Sequence, residues 1–228
     1  MEAIEIADGV YRIKQEEDSR RELLATLNLT PGKSVYGERL IVIDDKEFRV
    51  WDPFRSKLAA AILKGIEKTG IERGSRVLYL GASTGTTVSH VSDIVGSSGI
   101  VFAVEVSQRV ARELMEKVAM HRKNVLPIVE DARRPERYGV VYGRIDAVYC
   151  DIAQPDQTDI AMLNTKRFLK DRGNLILVVK ARSIDALREP REVIKEEAEK
   201  VSIHGMEVKR VIDLNPYDKD HGIILAIK

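Results

Sequence analysis

The 228-residue sequence predicts an α/β fold: a mostly parallel sheet with helices on both faces, its last strand antiparallel, preceded by a small antiparallel β subdomain. Three observations lead there. From Arg76 onward, apolar strand-like runs near 76–81, 100–105, 125–130, 144–151 and 173–180 alternate with helical spacing near 86–95, 107–121, 156–170 and 189–201. Regular alternation of this kind implies a parallel sheet covered by helices. Near the end, Glu207 to Leu214 and Gly222 to Ile227 are joined only by Asn215 to His221, too short a link for a parallel crossover, so the last strand runs against the others. In front of all this, residues 1 to about 51 alternate short β-like runs with tight turns.

Taken in order, Asp8-Gly9 separates Ile4-Glu5-Ile6 from Val10-Tyr11-Arg12-Ile13, and Asp44-Asp45 separates Leu40-Ile41-Val42-Ile43 from Phe48-Arg49-Val50; each is a hairpin signal. The subdomain ends at Asp52-Pro53, where Asp suits a helix N-cap and Pro the first helical position. The chain thus divides into residues 1–51 and 52–228. The expected helix carries Leu58, Ala59, Ile62, Leu63 and Ile66 on its apolar face and ends at Gly70. Next comes Val77-Leu78-Tyr79-Leu80-Gly81-Ala82-Ser83-Thr84-Gly85, four apolar residues running into a glycine turn. Val88, Val91 and Val95 follow at helical spacing, so the stretch reads strand, tight turn, helix. It is the first βα unit of a Rossmann-like nucleotide-binding sheet, whose turn lets a ligand approach the backbone.

Composition narrows the function classes. With 44% hydrophobic and 32% charged residues the chain can bury a sizeable core. Its longest apolar runs, such as Leu175 to Val179, are far too short to cross a bilayer, and no secretory leader pattern opens it, so no membrane association is expected. The single cysteine, Cys150, excludes an intrachain disulfide framework, suits a reducing compartment and reads as a small buried core residue. A net charge of +1 leaves polyanion binding to local patches. Abundant Lys, Arg and Glu with one cysteine suit a thermophile. Four scattered histidines give no metal-ligand spacing, and there is no nucleophilic-serine elbow.

In an open parallel sheet, ligands sit beyond the carboxyl ends of the strands. Gly81, Glu105, Asp131, Asp151 and Lys180 all fall there, and the reversed last strand brings its first residue, His221, to the same edge. Glu105 ends the second strand where a carboxylate would accept hydrogen bonds from a ribose diol. Ser83 stands where a dinucleotide fingerprint has its second glycine, which disfavours a pyrophosphate and a nicotinamide oxidoreductase. A nucleoside without a diphosphate fits better, and S-adenosylmethionine is such a cofactor. Asp131 then suits the adenine amino group, or serves as the N-cap of the turn through Arg133-Arg134-Pro135. Lys57, Asp151, Lys180 and His221, each unremarkable alone, together suggest methyl transfer to a weak oxygen nucleophile that must lose its proton. A lysine that a second positive charge helps to deprotonate can act as the base, with a carboxylate holding it. An ion pair closing the sheet edge is the structural alternative for Asp151 and Lys180.

Long blocks carry a resemblance across nearly the whole chain: Tyr36-Gly37-Glu38-Arg39, Trp51-Asp52-Pro53-Phe54-Arg55-Ser56-Lys57-Leu58-Ala59-Ala60, Gly81 to Asp93, Asp151-Ile152-Ala153-Gln154-Pro155-Asp156-Gln157 and Asp220-His221. Together they closely resemble fibrillarin. The resemblance implies a class I methyltransferase fold and S-adenosylmethionine-dependent 2′-O-ribose methylation of rRNA, with tRNA as a further substrate, inside a box C/D guide ribonucleoprotein. It implies a Nop-domain scaffold protein, box C/D guide RNA with its target rRNA, and a kink-turn-binding protein of ribosomal type as partners. The family's Lys-Asp-Lys-His tetrad falls on Lys57, Asp151, Lys180 and His221. Its cofactor contacts fall on Gly81, Ala82, Thr86, Thr87, Glu105, Val106, Asp131, Ala132, Asp151 and Gln154. The chain shows no Gly/Arg-rich tract of the eukaryotic kind, so it looks like an archaeal, cytoplasmic member with weak RNA affinity of its own. Protein glutamine methylation and a non-catalytic structural role in the same particle are the competing readings.

Overall fold

In the structure, a computed structural model, residues 1–14, 22–66 and 68–228 are described. Strands β1 (Glu2–Ala7), β2 (Val10–Lys14), β3 (Glu22–Leu27), β4 (Leu40–Ile43) and β5 (Lys46–Val50) form an antiparallel sheet in the order β1-β2-β3-β5-β4. Both expected hairpins are present. Ala7 pairs with Val10, and Ile43 pairs with Lys46 around Asp44-Asp45, whose φ angles of 48° and 59° supply the left-handed turn. Strand β3 has no period-two alternation because both of its faces are covered: Ala25 lies in this sheet's own core, whereas Leu24 packs into the core of the larger sheet.

The larger sheet contains β6 (Arg76–Leu80), β7 (Ile100–Glu105), β8 (Val125–Val129), β9 (Ile145–Cys150), β10 (Leu169–Lys180), β11 (Glu207–Asp213) and β12 (His221–Ile227). Its order is β11-β12-β10-β9-β6-β7-β8. Strands β6 to β10 pair in parallel, and β12 lies antiparallel between β10 and β11, as its short entry loop requires. The strand order reverses between β6 and β9, so the carboxyl ends of these two strands open a crevice at the switch point. One face of the sheet packs on α1 (Lys57–Leu63) and α2 (Thr86–Val95). The other face is covered by α4 (Gln157–Phe168) and α6 (Pro190–Ile203); α3 (Gln108–Leu114) lies at the β7–β8 side, and α5 (Ala181–Ile184) is a single turn. Cys150 is fully buried.

Several boundaries differ from the sequence reading. The first helix begins at Lys57, not Pro53: Ser56 is the N-cap and accepts from the Ala59 N–H at 3.4 Å, while Asp52 instead caps a tight turn by accepting from the Phe54 N–H at 2.8 Å. That helix ends at Leu63 rather than Gly70, because Gly65 (φ 94°) turns the chain back. Strand β10 starts at Leu169, directly after α4, and α3 passes into one π-helical turn at Met115–Ala119.

The two sheets are joined by buried charge. Arg49, on β5, donates to Asp93 on α2 at 2.7 Å and pairs with Glu38 at 2.6 Å; Arg122 pairs with the other oxygen of Asp93. Burial would raise the Glu38 carboxyl, but the Arg49 charge and backbone N–H donors hold it below the usual range. Beside them, Thr26 donates to Asp93 at 2.8 Å and therefore accepts from His90 Nδ1, also at 2.8 Å, while Tyr36 OH lies 2.7 Å from His90 Nε2. His90 is thus the neutral Nδ1–H tautomer, fully buried and stacked on Trp51. Burial and the neighbouring Arg49 and Arg122 charges push its pKa well down.

Candidate active site

Gly81 directly follows β6, and no other residue fits there. Its φ is 81°, and a Cβ there would sit 2.5 Å from the Asp151 carbonyl oxygen. The strand ends are stitched by backbone bonds from Gly81 N and Ala82 N to Val104 O and from Asp151 N to Leu80 O. This close approach of three strand ends forms the floor of a cleft of about 260 Å³ lined by Gly81, Ser83, Glu105, Val106, Asp131, Ala132, Asp151 and Gln154, among others.

Each lining residue is held from its own element. The two oxygens of Glu105 accept separately from Ser83 N and Ser107 N, each at 2.9 Å, so the carboxylate straddles two loops and keeps lone pairs free. Ser83 has a left-handed φ of 51°, and its N–H is taken by Glu105. The turn therefore lacks the donor a pyrophosphate would need there, the physical content of the missing glycine. Asp131 combines the two roles open to it, lining the cleft and capping its turn by accepting from Arg133 N at 2.9 Å. Arg133 in turn reaches Gln154 at 3.0 Å and Asp156 at 2.7 Å, tying the loop after β8 to the loop after β9 across the cleft. Ala82, Thr86 and Thr87 do not line it. Ala82 and Thr87 are buried, and the Thr87 hydroxyl donates to Ser56 at 3.0 Å, bracing the turn before Lys57.

The four tetrad residues converge. Lys180 Nζ lies 2.8 Å from Asp151 Oδ1, and Lys57 Nζ lies 3.4 Å from Asp151 Oδ2, so one carboxylate at the cleft receives both lysines. His221 does not touch that carboxylate. It joins through Asp218, which lies 3.6 Å from Lys57 Nζ and 2.8 Å from His221 Nδ1. Sequence reading missed Asp218, although it stands three residues before His221 in the loop that must cross this edge. The Lys219 carbonyl also accepts from His221 Nδ1 at 2.7 Å, so Nδ1 carries the proton and Nε2 is the variable atom. The Asp218 hydrogen bond raises the His221 pKa against a smaller effect of burial. Burial would lift Asp218, but His221 and Lys57 together hold it below the ordinary carboxylate range.

These features match a known family from end to end. The family model described as fibrillarin covers residues 1–228. The chain belongs to the fibrillarin family. It is 50% identical, over 96% of its length and 93% of the relative's, to the fibrillarin-like rRNA/tRNA 2′-O-methyltransferase of Saccharolobus solfataricus. Among solved structures it matches Aeropyrum pernix fibrillarin in complex with natively bound S-adenosyl-L-methionine, with a TM-score of 0.87, 43% identity and 99% of each chain covered. It also matches the fibrillarin chain of a fibrillarin/Nop5p complex, with a TM-score of 0.83, 41% identity and coverage of 96% and 97%. The fold, a Rossmann-like methyltransferase sheet with an N-terminal antiparallel sheet, is the one expected for fibrillarin.

The cleft fits the cofactor of such an enzyme. Glu105 offers carboxylate lone pairs for a diol, and Val106, 65% exposed although it lines the cleft, offers an apolar face for a base. The carboxylates of Glu105, Asp131 and Asp151 suit a cationic ligand without phosphates.

Proposed function

We propose that the chain transfers a methyl group from S-adenosylmethionine to the ribose 2′-oxygen of guided rRNA, and of tRNA. One observation carries the reading: Lys57 and Lys180 converge on Asp151 where that residue also lines the cofactor cleft. When bound, the cofactor supplies an electrophilic methyl group. The chain's own residues prepare the nucleophile. A ribose hydroxyl is a weak nucleophile until its proton has somewhere to go, and Lys180, oriented by Asp151, is the acceptor in this proposal. Lys57 lies between Asp151 and Asp218 and positions the ribose edge, while His221 closes the site through Asp218. Glu105, Asp131 and Gln154 hold the nucleoside end, and the Gly81 turn admits the rest.

The partners belong to the same proposal. The fibrillarin/Nop5p structure supports a Nop-domain scaffold, and the names of the relatives support rRNA and tRNA as targets. Box C/D guide RNA would select the nucleotide by base pairing, with a kink-turn-binding ribosomal-type protein completing the particle. A cytoplasmic site of action fits archaeal relatives, whose cells have no nucleus. The test is a labelled-methyl assay on a guide–target duplex with and without the scaffold and kink-turn proteins. Label on the ribose of the guided nucleotide in the full assembly is the expected result. Label appearing in protein instead would favour glutamine methylation, and a failure to bind S-adenosylmethionine in a calorimetric titration would leave a structural role.

A further inference from the structure

Asp151 and Lys180 emerge from neighbouring strands, but the backbone ladder between those strands stops short of them. Its last pair is Leu177 with Cys150. Beyond that point Asp151 is tied to β6, through its N–H to the Leu80 carbonyl at 2.9 Å, whereas Lys180 is tied to β12, where it pairs with His221. The catalytic carboxylate and its lysine thus belong to two halves of the sheet whose ladder has ended. A gap of this kind lets the two ends move apart unless something else spans it.

The Lys180 side chain reaches across it, to Asp151 Oδ1 at 2.8 Å and to the Asp151 carbonyl at 3.2 Å, but what joins the two backbones there is the side chain of Gln157. This first residue of α4 is fully buried, and its amide lies 3.1 Å from Ile152 O, next to Asp151, and 3.1 Å from Val178 O, two residues before Lys180. With the nitrogen facing both carbonyls, its two N–H groups donate one bond to each strand end. The opposite orientation would aim oxygen at two carbonyl oxygens for a single 3.4 Å contact from the Lys180 N–H, so the donor orientation wins. We infer that Gln157 is a positioning residue for methyl transfer: its amide replaces the missing ladder rung and sets the separation of Asp151 and Lys180. Its own side chain is not part of the cleft lining and touches no tetrad side chain; it bonds the backbone of Ile152 and Val178 and acts through the backbone that carries Asp151 and Lys180.

The inference rests on the proposed methyl transfer, and the test separates the two. Gln157→Leu removes both donors at similar volume, and Gln157→Asn keeps the amide but shortens its reach. The matched control is Asn124→Leu, because the buried Asn124 amide likewise donates to two backbone carbonyls, Ser92 O at 2.9 Å and the part-buried Gly96 O at 2.8 Å, away from the cleft. In the reconstituted full assembly, both Gln157 variants are expected to lose about 10²-fold in kcat, the scale of an ångström-sized misplacement. Their KM for the guided RNA and their calorimetric S-adenosylmethionine affinity should stay within about twofold. The pH midpoint of kcat should move in the Gln157 variants and stay put in Asn124→Leu, which should lose comparable thermal stability. Equal kcat losses at both sites, or a loss confined to cofactor affinity, would overturn the positioning role. If Gln157→Leu does not fold, Gln157→Asn decides alone. An inactive wild-type assembly would overturn the methyl-transfer reading itself.

Discussion

Lys180 and Lys57 reach different oxygens of the same carboxylate, at 2.8 and 3.4 Å, and the proposed mechanism makes Lys180 the proton acceptor. Lys180→Ala should lower the methylation rate by about 10²–10⁴-fold, the worth of a positioned general base, while leaving calorimetric cofactor affinity in place. A normal rate in that variant would remove Lys180 from the chemistry. Glu105→Ala should do the reverse. Loss of a charged acceptor costs about 1.5–3 kcal/mol, so cofactor affinity should fall by about 10- to 150-fold in the same titration. The His221–Asp218 pair carries a pH signature. His221 titrates above its ordinary 6.5, so its stabilising contribution is complete below 6.5 and fades as pH rises through the raised value. Asp218 titrates below its ordinary 3.8, so its contribution is present above 3.8 and fades as pH falls through the lowered value. The pair is therefore strongest between 3.8 and 6.5. In urea melts, the stability gap between wild type and His221→Gln should be wider near about pH 5 than near about pH 9.

Two elements hold the site in place from a distance. Helix α2 begins in the cofactor turn and is bolted to the small sheet by Asp93, which lies between Arg49 and Arg122 with all three side chains buried. Asp93→Ala leaves two buried arginines without that partner. Breaking such a pair costs about 3–5 kcal/mol, which at about 2–4 °C per kcal/mol for a chain of this size lowers Tm by roughly 10 °C. An unchanged Tm in a thermal melt would mean that solvent or Glu38 compensates. At the end of β6, the hydrogen of Gly81 faces the Asp151 carbonyl, so Gly81→Ala must push apart the strand ends that frame the cleft. Cofactor affinity and methylation should fall together, in contrast to the split expected for Lys180→Ala.

At the scale of the whole molecule, the two sheets are not independent bodies. Leu24, Val10 and Trp51 of the N-terminal segment share a core cluster with α1, α2 and the large sheet. Removing the first 51 residues would therefore uncover the apolar face that carries α2. Net charge is +1, and the basic groups at the site are largely paired with acids. The isolated chain should bind guide–target RNA weakly in a filter-binding titration, with affinity and methylation appearing when scaffold and kink-turn proteins are added. Tight binding by the chain alone would contradict this distribution of phosphate contacts.

The alternation after Arg76, the reversed last strand and the two hairpins were legible because strand period, loop length and turn chemistry are local properties of the chain. The convergence of Asp151, Lys180 and His221 on one edge followed from the same rules, since strand direction alone assigns strand-end residues to an edge, whereas Lys57, at the start of α1, was grouped with them through the family resemblance. Strand β3 was not legible, because its second buried face is supplied by the larger sheet, and neither was the start of α1, where Ser56, braced by Thr87, outcompeted Asp52. Asp218 was hidden for a related reason: a loop carboxylate has no periodicity, and only the packed loop brings it within reach of Lys57 and His221. Sequence by itself determined which strand-end residues reach the catalytic edge. Tertiary structure decided which of them touch, because hydrogen bonds and ion pairs depend on ångström distances that are set only when strand ends, glycine turn and the buried Gln157 amide are packed together.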